Sequence, residues 1–313
     1  MKNENSQFGI PRRPFGKTGC EVSIIGIGGS AIGSAKSEKI AQRIVQEGLD
    51  GGINFLDNAW EYHDGKSEIW MGRALKGRRD QAFLMTKVCS HGRDGKVALK
   101  QLEESLKRLK TDYLDLWQIH EVVYDTDPEL HFAKGGAVEA LEKAKKEGKV
   151  RFVGFTGHKD PSIHLKMLSY GFPFDACQLP LNPFDGTYRS FEKQVLPELN
   201  KLQIAPIGMK SLCGAADAVK KKALTAEEAI RYVLSLPISV LVSGMDSLAV
   251  LRKNIATARE FTPMTAREAE ALRKRCAPLA ADGRFERYKT SKEYDGAEGR
   301  EQHGFPGLKE SAD

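Results

Sequence analysis

Four side chains in this chain have the types and spacing to move a proton onto a carbonyl oxygen: Asp57, Tyr62, Lys87 and His120. A carbonyl that accepts hydride must also receive a proton, and a phenol of ordinary pKa near ~10 is a poor acid at neutral pH. An ammonium beside the phenol stabilises the phenolate and is expected to lower that pKa. A carboxylate beside the ammonium keeps it charged and in place, and an imidazole orients the carbonyl oxygen. In that division of labour Tyr62 is the acid, Lys87 the ammonium, Asp57 the carboxylate and His120 the imidazole. Each residue alone has an ordinary reading: a packed loop tyrosine, a loop-capping aspartate, a strand-end histidine. Lys87 is the hardest to treat as ordinary, because it follows the apolar run AFLMT and a lysine seldom enters such a strand without a partner.

The elements that must hold these four together follow from an alternation. Short apolar runs at 24–28, 54–57, 82–87, 113–120, 150–156, 174–179, 204–210 and 239–244 read as strands. Between them, amphipathic patterns at 37–50, 67–77, 95–110, 136–147, 161–169, 190–202, 225–235 and 247–260 read as helices. Near-continuous apolar strands alternating with helices predict a parallel sheet covered by helices, and eight such units close a (β/α)8 TIM barrel. Active residues then belong at the C-terminal ends of the strands. Asp57 ends the second, Tyr62 follows in its loop, Lys87 ends the third and His120 ends the fourth, so all four fall on one rim.

The flanks differ from the middle. Gly-Lys-Thr-Gly within residues 12–23 predicts a small N-terminal hairpin. Thr225-x-x-Glu228 and Thr265-x-x-Glu268 read as capping boxes, the second opening a helix beyond the eighth unit. Residues 263–313 hold 10 Lys or Arg and 10 Asp or Glu, too much charge to form a core alone, so this C-terminal extension either drapes over the barrel or stays partly disordered. We expect one domain, residues 1–313, with the barrel over about 24–262. Gly26-Ile27-Gly28-Gly29-Ser30-Ala31 satisfies the G-x-G-x-x-A dinucleotide fingerprint. The helical pattern, however, begins only at Ser37, so a glycine-rich barrel loop is the better reading.

The segments INFLDNAWEYHDGKSEIWMGRAL (53–75), LMTKV (84–88) and DLWQIHE (115–121) resemble the aldo-keto reductase superfamily, as does the opening RPFGKTGCEVSIIGIGG (13–29). The similarity runs from about residue 13 to 260. It implies that Asp57, Tyr62, Lys87 and His120 are the catalytic four and that the cofactor is NADP(H), with NAD(H) as the alternative. On the cofactor side the match is looser. Thr156 and Gly157 stand where the family carries a Ser-Asn pair, Gln178 keeps the nicotinamide position, and Met209 replaces the stacking aromatic. A branch with Met-Lys after strand seven fits this pattern. Lys210 is then expected at the pyrophosphate, with Gly29, Leu212, Gly244, Ser247, Lys253 and Asn254 completing the cofactor cradle. Trp60 and His158 are expected to line the substrate.

The implied activity is reduction of aldehyde or ketone carbonyls to alcohols. The competing reading is an NADP(H)-binding regulatory subunit with little turnover; a hydrolase or isomerase barrel would leave Lys87 without a task.

Composition fits a globular oxidoreductase: 41% hydrophobic and 29% charged residues, with a net charge of +6. The basic runs mix with acids on helix faces, which argues against nucleic acid as partner. No apolar run nears the roughly 20 residues of a membrane span, and no signal peptide is evident, so cytoplasm is the expected compartment. Cys20, Cys89, Cys177, Cys213 and Cys276 form no C-x-x-C pair, and no metal site is expected. The expected partner is a small carbonyl or alcohol, and a homo-oligomer is left open.

Overall fold

The computed structural model describes residues 9–88, 93–214, 216–302 and 304. Cys89, His91 and Phe305 lie outside them. A two-stranded antiparallel hairpin, β1 (Arg12–Pro14) and β2 (Glu21–Ser23), precedes eight parallel strands: β3 (Ile25–Gly28), β4 (Phe55–Asp57), β5 (Phe83–Val88), β6 (Leu114–Val122), β7 (Val150–Gly157), β8 (Ala176–Pro180), β9 (Ala205–Met209) and β10 (Val240–Gly244). They pair in chain order, and β10 closes on β3, giving a closed (β/α)8 barrel with the expected hairpin in front of it.

The helices are α1 (Gly29–Gly33), α2 (Glu38–Asp50), α3 (Lys66–Ala74), α4 (Gly95–Leu109), α5 (Asp127–Phe132), α6 (Ala137–Lys146), α7 (Pro161–Ser169), α8 (Phe191–Gln194), α9 (Leu196–Lys201), α10 (Asp217–Lys220), α11 (Ala226–Ser235) and α12 (Leu248–Arg259). Beyond the barrel follow α13 (Ala266–Ala280), α14 (Arg287–Thr290) and α15 (Ala297–Gln302). Each long helix buries one stripe against the strands. In α2 it is Ala41, Ile44, Val45, Gly48 and Leu49, the i, i+3, i+4 spacing of a single helical face. Both expected capping boxes form, at Thr225 and at Thr265.

Three local readings of the sequence need correction. A helix does begin within the glycines, at Gly29, but its five residues are too few to show a periodic pattern. The single helix expected over 190–202 is two, broken at Val195, because Pro197 has no N–H to continue the first. The short helices α5 and α10 went unseen for the same reason as α1: one turn leaves no periodicity.

The barrel interior has two ends. At the bottom the hairpin inserts Phe15, whose ring lies 4.7 Å from Phe83 and 5.9 Å from Phe55. Met85, Leu116, Ile207 and Val240 complete that apolar plug. The top layer is polar, and the site stands there. The charged extension is ordered over α13–α15 and drapes over the loops that follow β6, β7 and β8.

Candidate active site at the barrel mouth

Strand order carries Asp57, Lys87 and His120 to the C-terminal rim, and Tyr62 lies in the loop after β4. Gly28 pairs with Asp57, and Lys87 pairs with Gln118, two residues before His120. Gly29 has to be glycine here for steric reasons: a Cβ would stand 2.5 Å from the Asp57 carbonyl oxygen and 2.8 Å from Asn58 Cγ. The loop carrying Tyr62 is pinned by the Trp60 amide, which donates to the Lys87 carbonyl at 3.0 Å.

Lys87 is the hub. Its ammonium, 1% exposed, donates to Asp57 Oδ1 at 2.6 Å, to the Asn58 carbonyl at 2.7 Å and to the Tyr62 hydroxyl at 3.4 Å. Gln178 Nε2 donates to the same Asp57 oxygen at 3.4 Å. The His120 ring stands edge-on to Tyr62, centroids 5.7 Å apart, with its Nδ1 3.1 Å from Glu61 Oε1. The four residues therefore meet, as their spacing implied.

One electrostatic expectation reverses. Burial, then the carboxylates of Asp57, Glu61 and Glu121, push the Tyr62 phenol well above its usual range. The neutral phenol keeps its proton at rest.

Two acids went unassigned in the sequence. Glu61 faces His120, and Glu121 Oε2 lies 2.5 Å from His158 Nε2. Alternation would send the side chains of His120 and Glu121 to opposite faces of β6. The β6–β7 ladder shifts register between Ile119 and Val122, and both side chains reach the mouth. Burial works to raise the Glu121 carboxyl. The charges of His158, His120 and Lys210 and the His158 hydrogen bond outweigh it and hold it at about 2. Burial lowers the His158 pKa, with the Glu121 carboxylate opposing. The other His158 nitrogen, Nδ1, lies 3.3 Å from the Tyr288 carbonyl of the extension.

The remaining expected residues fall into groups. Thr156 and Gln178 are buried, paired across β7 and β8, and the Gln178 Oε1 has no partner among the described residues. Met209, Lys210 and Leu212 are half-buried where β9 ends. The Lys210 ammonium sits 5.2 Å from the Tyr288 ring centroid and 5.7 Å from that of Tyr294. Gly244 is exposed at the end of β10, Ser247 caps α12 by accepting from the Val250 amide, and Lys253 is exposed on that helix. Asn254 turns inward and donates to Ser243 Oγ at 3.1 Å. Trp60 has an anchor outside the four: its indole donates to Glu104 of α4 at 2.8 Å, with the Arg108 guanidinium over the ring.

A model of the aldo/keto reductase family matches residues 24–224, from the first barrel strand to the turn before α11. The chain belongs to the aldo/keto reductase family. It is therefore an oxidoreductase of that family.

Among curated relatives, aldo-keto reductase YhdN of Bacillus subtilis is 31% identical over 210 residues, 63% of this chain and 60% of that protein. Uncharacterized oxidoreductase YqkF of the same organism is 26% identical over 298 residues, covering 80% of this chain and 92% of the relative. Among solved structures, the holo form of aldo-keto reductase AKR11C1 from Bacillus halodurans superposes with a TM-score of 0.72 at 25% identity, covering 85% of this chain and 96% of that one. An aldo/keto reductase from Klebsiella pneumoniae in complex with NADP and acetate shares the fold at a TM-score of 0.67 and 22% identity, covering 82% and 93%. Within the described residues no helix is long and apolar enough to cross a membrane.

Proposed function

We propose that this family member reduces aldehyde or ketone carbonyls with NADP(H), Tyr62 giving the proton. The observation that carries the reading is the Lys87 ammonium, shared between Asp57 Oδ1 at 2.6 Å and the Tyr62 hydroxyl at 3.4 Å. When bound, the nicotinamide supplies the hydride. Tyr62, held neutral by its surroundings, keeps its proton until negative charge develops on the carbonyl oxygen. Lys87 then stabilises the phenolate, and Asp57 keeps Lys87 charged and aimed. His120 orients the carbonyl oxygen, itself positioned by Glu61.

The residues present fit the cofactor. A buried amide oxygen without a partner is costly, and Gln178 Oε1 is such an atom beside Asp57. The nicotinamide carboxamide carries the donor it lacks. Thr156 and Gln178 would hold that group, Met209 and Leu212 the ring and its ribose, and Gly29 leaves the approach open. Gly244, Ser247, Lys253 and Asn254 would hold the adenosine end. Arg252 is engaged with Glu47 at 2.9 Å, so Lys253 and the α12 amides behind Ser247 carry the 2′-phosphate preference.

Two measurements test this. Aldehydes, ketones and sugar-derived carbonyls are screened by NADPH absorbance. Turnover of none, with NADPH still bound, would leave the regulatory-subunit reading in its place. Titration of both cofactors by fluorescence quenching is expected to show tighter NADPH. Equal dissociation constants, unchanged by Lys253→Ala, would remove the NADPH preference without touching the reductase reading.

A further inference from the structure

Lysines surround the mouth, and one differs from the rest. Lys87 pairs with Asp57 at 2.6 Å, Lys159 with Asp295 at 2.6 Å, and Lys289 with Asp185 at 2.7 Å. Lys210 stands among them without a carboxylate at ion-pair distance among the described residues. Its nearest carboxylate neighbour in charge, Glu121, is engaged by His158. What flanks Lys210 instead is a pair of tyrosine faces, Tyr288 and Tyr294, both supplied by the extension. Tyr288 is fully buried and fixed by its own hydroxyl, which donates to Glu286 at 2.7 Å.

An ammonium between two ring faces is attracted by both, and its N–H donors stay available to an anion. The backbone of Lys210 is left-handed, φ +57°, a conformation that most residues avoid. The chain thus holds a cation, on a strained main chain, beside the reaction floor. The charges of Glu121, Lys87 and Asp57 act on it there, and burial draws its pKa below the usual lysine range.

We propose that Lys210 recognises a carboxylate on the substrate, so that the preferred substrates are oxo acids rather than neutral aldehydes or ketones. This rests on the carbonyl-reductase reading and moves Lys210 from the cofactor pyrophosphate to the substrate. Lys210 is a specificity residue: it acts on the part of the molecule that does not react. Hydride adds to the carbonyl carbon, the Tyr62 proton to its oxygen, and the carboxylate emerges unchanged in the hydroxy acid.

The test compares matched pairs, 4-oxobutanoate with butanal and 2-carboxybenzaldehyde with benzaldehyde, in wild type, Lys210→Met and Lys210→Arg. A charge-assisted hydrogen bond contributes about 1.5–3 kcal/mol, or roughly tenfold or more in affinity. Lys210→Met is expected to raise KM for the acids about tenfold or more, leave the neutral partners within about twofold, and leave NADPH affinity unchanged. Lys210→Arg is expected to restore the acids. Equal KM changes for acids and neutral partners overturn the proposal. Weakened NADPH binding in Lys210→Met also overturns it and returns Lys210 to the cofactor. Calorimetry of benzoate binding is independent of turnover. If no carbonyl is reduced, the reductase reading fails, yet benzoate binding to wild type and not to Lys210→Met would still uphold the anion site. Equal benzoate binding, or none to either protein, would overturn it.

Discussion

The two ends of the barrel interior are built by the same strands and differ in kind. At the bottom, Phe15, Phe55 and Phe83 close ring on ring, Phe55 and Phe83 with centroids 5.3 Å apart, within an apolar cluster. At the top, on the same strands, stand Asp57, Lys87, Gln118, Thr156 and Gln178, each no more than 3% exposed. Both layers are buried, but only the lower one gains stability from being so. Burying a charged pair costs about as much as its attraction returns, and an unpartnered amide is a net loss. Among the described residues, Gln118 finds no partner for either end of its side-chain amide, and Gln178 none for its oxygen. The lower plug adds to the stability that the larger core between strands and helices supplies. The upper layer draws on that stability to keep polar atoms ready for something that arrives from outside.

The largest expected effect sharpens this difference by leaving stability alone. Tyr62→Phe removes the acid and keeps the ring, so kcat should fall about 10²–10⁴-fold, while thermal unfolding and cofactor binding stay near wild type. A variant that retained most of its kcat would remove Tyr62 from the proton-donor role. Phe55→Ala should do the opposite. It opens the lower plug and should cost about 3–5 kcal/mol in urea unfolding, with KM and kcat of the surviving folded protein within a few-fold. If activity fell in step with stability, the two ends would not be separable.

Breaking the upper pair should destabilise as well as inactivate. Lys87→Met leaves Asp57 buried without its cation, at a cost of about 3–5 kcal/mol. Adding Asp57→Asn should return part of that stability but none of the activity. Additive stability losses in the double variant would mean that the two charges are not coupled.

The smallest effect is a pH dependence. The Glu121 carboxyl is held at about 2, below its value in the unfolded chain. A depressed carboxyl pKa contributes stability that is present above the unfolded value. That stability is lost as pH falls from about 4.5 toward 2. Urea unfolding at pH 5 and pH 3 should therefore show a loss in wild type, and Glu121→Gln should flatten that slope. An unchanged slope in the variant would place the acid sensitivity elsewhere, outside the upper layer.

The four side chains that meet around Lys87 were legible in the sequence because strand-end position is a one-dimensional property. In a parallel barrel, the last residues of successive apolar runs fall on one rim whatever the side-chain details. The alternation of strands and helices fixed the barrel for the same reason, and the apolar setting of Lys87 announced a buried partner. What stayed hidden depends on contacts between distant segments or on turns too short to repeat. The helix at Gly29 is one turn long. Glu61 and Glu121 flank residues already chosen, yet nothing in their spacing shows which histidine each one faces. The anchor of Trp60 was hidden in the same way, since its indole donates to Glu104 of α4 with the Arg108 guanidinium over the ring.

The sequence by itself therefore determined the architecture and the four polar residues that meet at the barrel mouth, since periodicity and strand ends are local. Tertiary structure decided the electrostatics and the reach of the extension. Whether a phenol's pKa rises or falls depends on the burial and the carboxylates gathered around Tyr62 from β4, its loop and β6. The partners of Lys210 come from Tyr288 and Tyr294, some eighty residues further along the chain. Such contacts form only when loop-closure entropy has been offset by the packing of the whole barrel, so no local pattern carries them.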